Sequence, residues 1–170
     1  MQVFETERLA LSLLEPGDAE FILELVNDSA WLRYIGDRGV HNLDDACGYI
    51  RIGPADMQAR LGYSLYKVAL KSDGKSIGIC GLLKRDSLPD ADIGFAFLER
   101  YRGQGYAREA ASATLAYARS ILGLKRILAI TSPDNMSSIR LLEKLGFEYQ
   151  ETVQMPGPSR DTKVFALQTP

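Results

Sequence analysis

At 170 residues the chain has the length of a single domain, 1–170, large enough to bury a core without disulfide or metal staples. A formal charge of −2, from 20 basic and 22 acidic residues, excludes the broad basic field with which proteins hold nucleic acid. Two cysteines (Cys47, Cys80) and one histidine (His41) supply neither a disulfide framework nor a zinc set, so no metal is expected.

The opening Met1-Gln2-Val3-Phe4-Glu5-Thr6-Glu7 is acidic and lacks the basic-then-apolar order of a secretion signal. No apolar run approaches the roughly 20 residues that span a bilayer. The expected compartment is the cytoplasm, with no membrane partner. Leu9-Ala10-Leu11-Ser12-Leu13 alternates as a half-buried strand should. Pro16-Gly17-Asp18 turns the chain, and Asp18 is placed to cap a helix with Phe21, Ile22, Leu25 and Val26 on one face. Asp44 to about Leu61 reads as a second helical region that Gly53-Pro54 splits or ends. Tyr63–Leu70 and Ser76–Lys84 read as strands joined by the turn Ser72-Asp73-Gly74-Lys75.

A strand at Asp92–Leu98 then runs into a basic glycine loop, Arg100-Tyr101-Arg102-Gly103-Gln104-Gly105, and a long helix. Ala107, Ala110, Ala111, Thr114, Leu115, Ala118 and Leu122 recur at helical spacing until Gly123. Strand, loop and helix in that order leave free backbone N–H groups and a positive helix end where an anion can sit, and Gly103 and Gly105 let it approach the backbone. Arg100, Arg102 and Arg108 surround this candidate diphosphate cradle. It is neither a P-loop, since Tyr106-Ala107 stands where Lys-Ser or Lys-Thr is required, nor a dinucleotide fingerprint, since Arg108 occupies the place of the third glycine. Downstream, the apolar run Ile127–Thr131 leads through Pro133-Asp134-Asn135 into Met136–Phe147, and Phe147–Val153 and Thr162–Leu167 read as antiparallel strands around Pro156-Gly157-Pro158.

Arg102-x-x-Gly105-x-Ala107 resembles the acyl-CoA diphosphate loop of the GNAT superfamily of N-acetyltransferases. Asn135, Ser138, Leu141, Lys144, Gly146 and Phe147 match that family's second signature, Asn-x-x-Ser/Ala-x-x-Leu-Tyr-x-Lys-x-Gly-Phe. One position departs from it: Leu142 stands where many relatives carry the tyrosine that protonates the departing thiolate. The stretches Glu5-Thr6-Glu7-Arg8-Leu9-x-Leu11 and Asn27-Asp28 to Arg33-Tyr34-Ile35-Gly36 are similar to the branch that acetylates ribosomal-protein alanine and serine N-termini. The resemblance implies an α/β fold of the GNAT type: a mixed, mostly antiparallel sheet splayed at the cofactor strand, with helices on both faces. It also implies acetyl-CoA as donor.

Acetyl transfer to an amine requires a base, a partner for the carbonyl oxygen, and support for the leaving thiolate. The resemblance places Asp92 as candidate base, the alternative being a strand-end aspartate that faces solvent or caps a turn. It assigns the backbone of Phe95, Ala96 and Phe97 to pantetheine and the thioester carbonyl, through a bulge with which Gly94 is compatible; the alternative is a fully paired strand. Arg102, Gly103, Gln104, Gly105, Tyr106 and Ala107 would hold the diphosphate. Asn135 would bond pantetheine and Ser138 the thiolate, unless these two only cap a helix. Trp31, Tyr34, Tyr63 and Tyr66 are candidates for the acceptor cleft, or else core. His41 reads as a loop residue, and Cys80, in an apolar strand, as core. The expected activity is direct transfer to a primary amine, foremost a protein or peptide N-terminus. Alternatives are a small-molecule amine, or a catalytically weak acyl-CoA sensor. The chain would act as a monomer or homodimer.

Overall fold

The computed structural model describes residues 1–156 and 161–169. Eight strands form one sheet: β1 (Gln2–Glu5), β2 (Leu9–Leu13), β3 (Leu65–Leu70), β4 (Ser76–Leu83), β5 (Asp92–Phe97), β6 (Arg126–Thr131), β7 (Glu148–Gln154) and β8 (Asp161–Gln168). Their order across the sheet is β1-β2-β3-β4-β5-β6-β8-β7. Every neighbouring pair is antiparallel except β5 and β6, which run parallel. Six helices accompany the sheet: α1 (Ala19–Val26), α2 (Ser29–Tyr34), α3 (Leu43–Ile50), α4 (Asp56–Leu61), α5 (Tyr106–Ser120) and α6 (Met136–Lys144). The mixed sheet with helices on both faces is the architecture expected from the sequence.

The sheet separates two apolar layers. On one face α5 and α6 pack against Leu9, Leu11, Tyr66, Val68, Ile93 and Phe97. Ala110, Ala111, Thr114 and Ala118 are fully buried, so α5 lies flush on the sheet as its small side chains allow. On the other face α1, α2 and α3 bury Ile22, Leu25, Val26, Trp31, Ala46 and Ile50 against Leu65 and Ile79. This second layer also carries Leu98, at the end of β5.

The structure corrects the local reading at Asp18 and refines it in two other places. Asp18 makes no cap hydrogen bond to α1. Its carboxylate instead accepts the Glu15 N–H at 2.9 Å and meets Lys67 Nζ at 2.6 Å, fixing the helix to β3. Pro54 does not end the second helical region. A π-helical turn, Arg51–Ala55, joins α3 to α4, and its wider winding absorbs a residue that has no N–H to donate. The acidic opening forms the edge strand β1, and residues 29–34 form the short helix α2, neither of which stands out as a periodic segment. Of the turn Pro156-Gly157-Pro158, Gly157 and Pro158 lie outside the described residues.

Gly81 shows how closely β3 and β4 approach, because a Cβ there would overlap the Ser64 carbonyl oxygen and stand 2.8 Å from Leu65 Cα. Both obstacles are backbone and have nowhere to yield. Gly81→Ala should therefore cost at least about 2 kcal/mol, a fall in Tm on the order of 4–8 °C by thermal melting. An unchanged Tm would contradict this packing.

Candidate active site

β5 is paired with β4 along its whole length, from Asp92↔Leu83 to Phe97↔Gly78. Its pairing with β6 stops after two positions, Asp92↔Leu128 and Ile93↔Ala129. Beyond Ile93 the two strands diverge, and the gap opens into a cleft of about 1640 Å³ lined by Gly94–Phe97, by Ala129–Thr131 and by the loops beyond. The register with β4 is unbroken, so the splay comes from lost pairing on the β6 side rather than from a bulge at Gly94. A Cβ on Gly94 would stand 2.8 Å from Leu83 Cδ1, so the glycine there serves close packing.

Which backbone groups face the gap follows from the alternation of the ladder. Leu98 N–H donates to Ile77 on β4, whereas the Ala91 carbonyl accepts Leu128 N–H from β6. Odd-numbered residues of β5 thus turn their N–H and C=O groups toward β6. Phe95 and Phe97 face the open gap, and the Phe97 carbonyl is taken by Arg102 Nε at 3.0 Å. Ala96 is corrected by this geometry: its backbone faces β4, and only its side chain reaches the cleft.

At the wide end of the gap the glycine loop turns into α5. Gly103 (φ +73°) and Gly105 (φ +84°) are both left-handed, a conformation costly for any residue with a Cβ. The first intrahelical bond of α5 runs from Glu109 N–H to the Gly105 carbonyl, so the amides of Tyr106, Ala107 and Arg108 precede the helical ladder. Behind the loop lies a brace that motif reading had not singled out. Arg8 donates to the Gln104 carbonyl (Nη1, 3.0 Å) and to Glu109 (Nε, 2.7 Å), and its guanidinium covers the Tyr106 ring at 4.4 Å. Thr6 Oγ donates to the same Glu109 carboxylate at 2.6 Å. These donors hold the Glu109 carboxyl below its usual range despite partial burial. Gln104 is corrected too: its side chain reaches back to the Arg100 carbonyl at 3.2 Å and does not line the cleft. The guanidinium of Arg102 is committed to Phe97 and, through Nη2 at 2.6 Å, to Asp28.

At the narrow end lies Asp92, only 1% exposed. It neither faces solvent nor caps a turn. Arg85 Nε sits 3.1 and 3.3 Å from its two oxygens, which makes Arg85 a second site residue that motif reading missed. The hairpin register held the signal: with Leu83 opposite Asp92, the cation two residues beyond Leu83 falls beside that carboxylate. Burial pushes the Asp92 carboxyl above its usual value, and Arg85 and Lys84 only partly offset this.

On the β6 side, Asn135 caps α6 through Oδ1, which accepts Ser138 N–H at 3.3 Å. The cap uses only the oxygen, so the Asn135 amide NH₂ and the Ser138 hydroxyl have no partner among the described residues, and both residues line the cleft. Leu142, at the position of the family's tyrosine, is 1% exposed and belongs to the core.

The remaining wall is built by α2 and the α3–α4 region. Trp31 (5% exposed) and Tyr34 line it, together with Ile35, Arg38, Tyr49 and Met57. Tyr66 does not. It is fully buried in the α5-side core, edge-on to Phe4 and Tyr117, and burial pushes its phenol up to about 12. Tyr63 packs into the same core. Cys80 is fully buried against Thr114, its thiol pushed up to about 12 by desolvation, so it is inert. Among the described residues no His, Cys, Asp and Glu side chains gather as a metal ion would need, and no helix is long and apolar enough to cross a membrane.

Comparison with known proteins matches residues 8–148 to the acetyltransferase (GNAT) domain. The uncharacterized N-acetyltransferase YoaA of Bacillus subtilis is 29% identical over 99% of this chain and 97% of its own length. The [ribosomal protein uS5]-alanine N-acetyltransferase of Escherichia coli is 29% identical over 69% of each chain. Among solved structures, the ribosomal L7/L12 α-N-protein acetyltransferase in complex with coenzyme A superposes with a TM-score of 0.81 at 15% identity, covering 99% of this chain and 98% of its own.

The buried Asp92–Arg85 pair has a pH signature. Because the folded-state pKa of Asp92 is raised, the folded protein keeps a proton that the unfolded chain releases above about pH 4. The stability this group contributes is complete below that pH and is lost as pH rises through the folded value. Arg85→Met removes the offsetting cation and raises that value further, so the variant should lose more stability than the parent between pH 4 and 7 in denaturant melts. Parallel curves across that range would contradict the pairing.

Proposed function

The chain belongs to the GNAT acetyltransferase family, and on that premise we propose that it moves the acetyl group of acetyl-CoA directly onto the α-amino group of a protein or peptide N-terminus. It is an acetyltransferase, and acetyl-CoA is its donor. The observation that carries the reading is the divergence of β5 from β6 after Ile93, which frees the backbone of Phe95 and Phe97 in the gap. At one end of that gap lie the unpaired amides of Tyr106, Ala107 and Arg108, and at the other a buried carboxylate.

In this reading the diphosphate rests on the loop from Gly103 to Arg108, where glycine geometry and the α5 dipole favour an anion. The pantetheine arm runs along the open edge of β5 and bonds the backbone of Phe95 and the amide of Asn135. The N–H groups facing the gap are also placed to receive the thioester oxygen as charge develops on it. Asp92 takes the proton of the attacking amine, directly or through one water. As the N–C bond forms and the C–S bond breaks, the electron pair leaves on sulfur, and the Ser138 hydroxyl donates a hydrogen bond to the thiolate in place of a tyrosine. A raised carboxyl pKa suits the base role, since it narrows the gap to the amine it serves. The acceptor wall of Trp31, Tyr34, Ile35 and Met57 is largely apolar, which suits an uncharged segment beside the amine. Of the compared proteins, one is named as an alanine N-acetyltransferase of ribosomal protein uS5 and another as an α-N-protein acetyltransferase of ribosomal L7/L12.

An acceptor panel read by free CoA release tests this reading. Short peptides with free N-termini should release CoA faster than polyamines or free amino acids, and ATP should not compete. Asp92→Asn should lower kcat by a factor on the order of 10²–10⁴ while leaving the KM for acetyl-CoA nearly unchanged. The parent's activity should fall as pH drops through the raised Asp92 value, an acid limb the variant lacks. A panel in which only polyamines react would overturn the peptide assignment, and a parental pH profile in Asp92→Asn would remove the base.

A further inference from the structure

We propose that Arg102 and Asp28 are positioning residues for the acceptor and not ligands of the donor diphosphate, an inference that rests on the acetyl-transfer reading above. One carboxylate does two jobs at Asp28. Its Oδ1 accepts Ala30 N–H at 3.0 Å, capping α2, and accepts Arg102 Nη2 at 2.6 Å. The same guanidinium donates through Nε to the Phe97 carbonyl at 3.0 Å. Arg102 therefore ties the last residue of β5 to the first turn of α2, the helix that carries Trp31 and Tyr34 into the acceptor wall. The Asp28 side chain is 11% exposed and that of Arg102 39%, so the carboxylate is withdrawn from water while the guanidinium stays in contact with it.

The surroundings strengthen this assignment. Arg102 stands directly before Gly103, so α2 and the glycine loop are referenced to one carbonyl, that of Phe97. At its far end α2 is held by Arg33 and Asp134 at 3.3 Å across the mouth of the cleft, but these side chains are 65% and 59% exposed and such a pair contributes little. Of these two polar ties, the one at Asp28 is the better shielded, and it adds to the burial of Trp31 in holding the helix. Nε and Nη2 are spent on this tie and only Nη1 is uncommitted, so a guanidinium that swung fully onto a diphosphate would abandon a backbone carbonyl and leave Asp28 a partly buried, unpaired charge. The loop amides face no such penalty, and they suffice to receive the anion.

The chain's only tryptophan, Trp31, reports the position of α2 directly. Asp28→Asn keeps the oxygen that caps Ala30 and removes the charge, and Arg102→Gln keeps a donor for the Phe97 carbonyl and releases Asp28. Both variants should fold, show red-shifted and more quenchable Trp31 fluorescence, and raise the acceptor KM about tenfold. Calorimetric Kd for coenzyme A should stay within twofold of the parent. The double variant should be no worse than the worse single, because one interaction is lost in all three. Arg100→Gln, which breaks the exposed pair with Glu24 on α1, should leave the fluorescence unchanged. A tenfold weaker coenzyme A Kd in Arg102→Gln with unchanged acceptor KM would make Arg102 a donor ligand and overturn the proposal, as would parental fluorescence in both variants. If the parent releases CoA with no amine, the transfer reading fails, and the fluorescence and calorimetry still decide whether this ion pair positions α2.

Discussion

Everything at this site depends on where β5 stops pairing with β6. Two residue pairs hold the strands together, and past Ile93 they part while β4 keeps β5 straight. A central strand with one free edge is ordinarily a liability, because unpaired N–H and C=O groups invite another strand. Here the free edge is only a few residues long, lies inside the molecule and opens into a cleft. The divergence leaves backbone that would have been spent on the sheet facing the cleft without a strand partner. It also places Asp92, one residue before the last paired position, near the vertex, where it is 1% exposed and burial pushes its carboxyl pKa upward.

Three ion pairs in and behind the cleft are closed before any ligand arrives. Arg85 faces Asp92, Arg102 faces Asp28, and Arg8 faces Glu109. Each pair joins elements distant in sequence or pins a loop that lines the cleft. Arg8 and Arg102 thus fasten the glycine loop and α2, whereas Arg108 lines the cleft with no ion pair among the described residues.

Much of this was legible in the chain. The glycine loop, the alanine face of α5 and the Asn135–Ser138 turn carry local signals, and each sits where its motif implies. The errors share one cause, since they concern which way a residue faces. Ala96 and Tyr66 are chemically reasonable site residues, but one step along a strand reverses both the side chain and the backbone groups, and register is a property of the neighbouring strand. The partners of Arg8, Glu109 and Arg85 are not legible locally because they lie across a hairpin or about a hundred residues away. Gly53-Pro54 divides the second helical region as its sequence implies, and the π turn between α3 and α4 is the form the division takes.

The divergence of β5 and β6 makes the backbone of Phe95 the most telling probe. Amide hydrogen exchange read by NMR, with and without saturating acetyl-CoA and with no acceptor, distinguishes the two edges of β5 residue by residue. The Phe95 amide should exchange quickly in the free protein and slow tenfold or more when the donor binds, while that of Ala96, already bonded to β4, stays slow throughout. Equal protection of Phe95 with and without a bound donor would contradict the account, because the open edge of β5 would then not be where the donor lies.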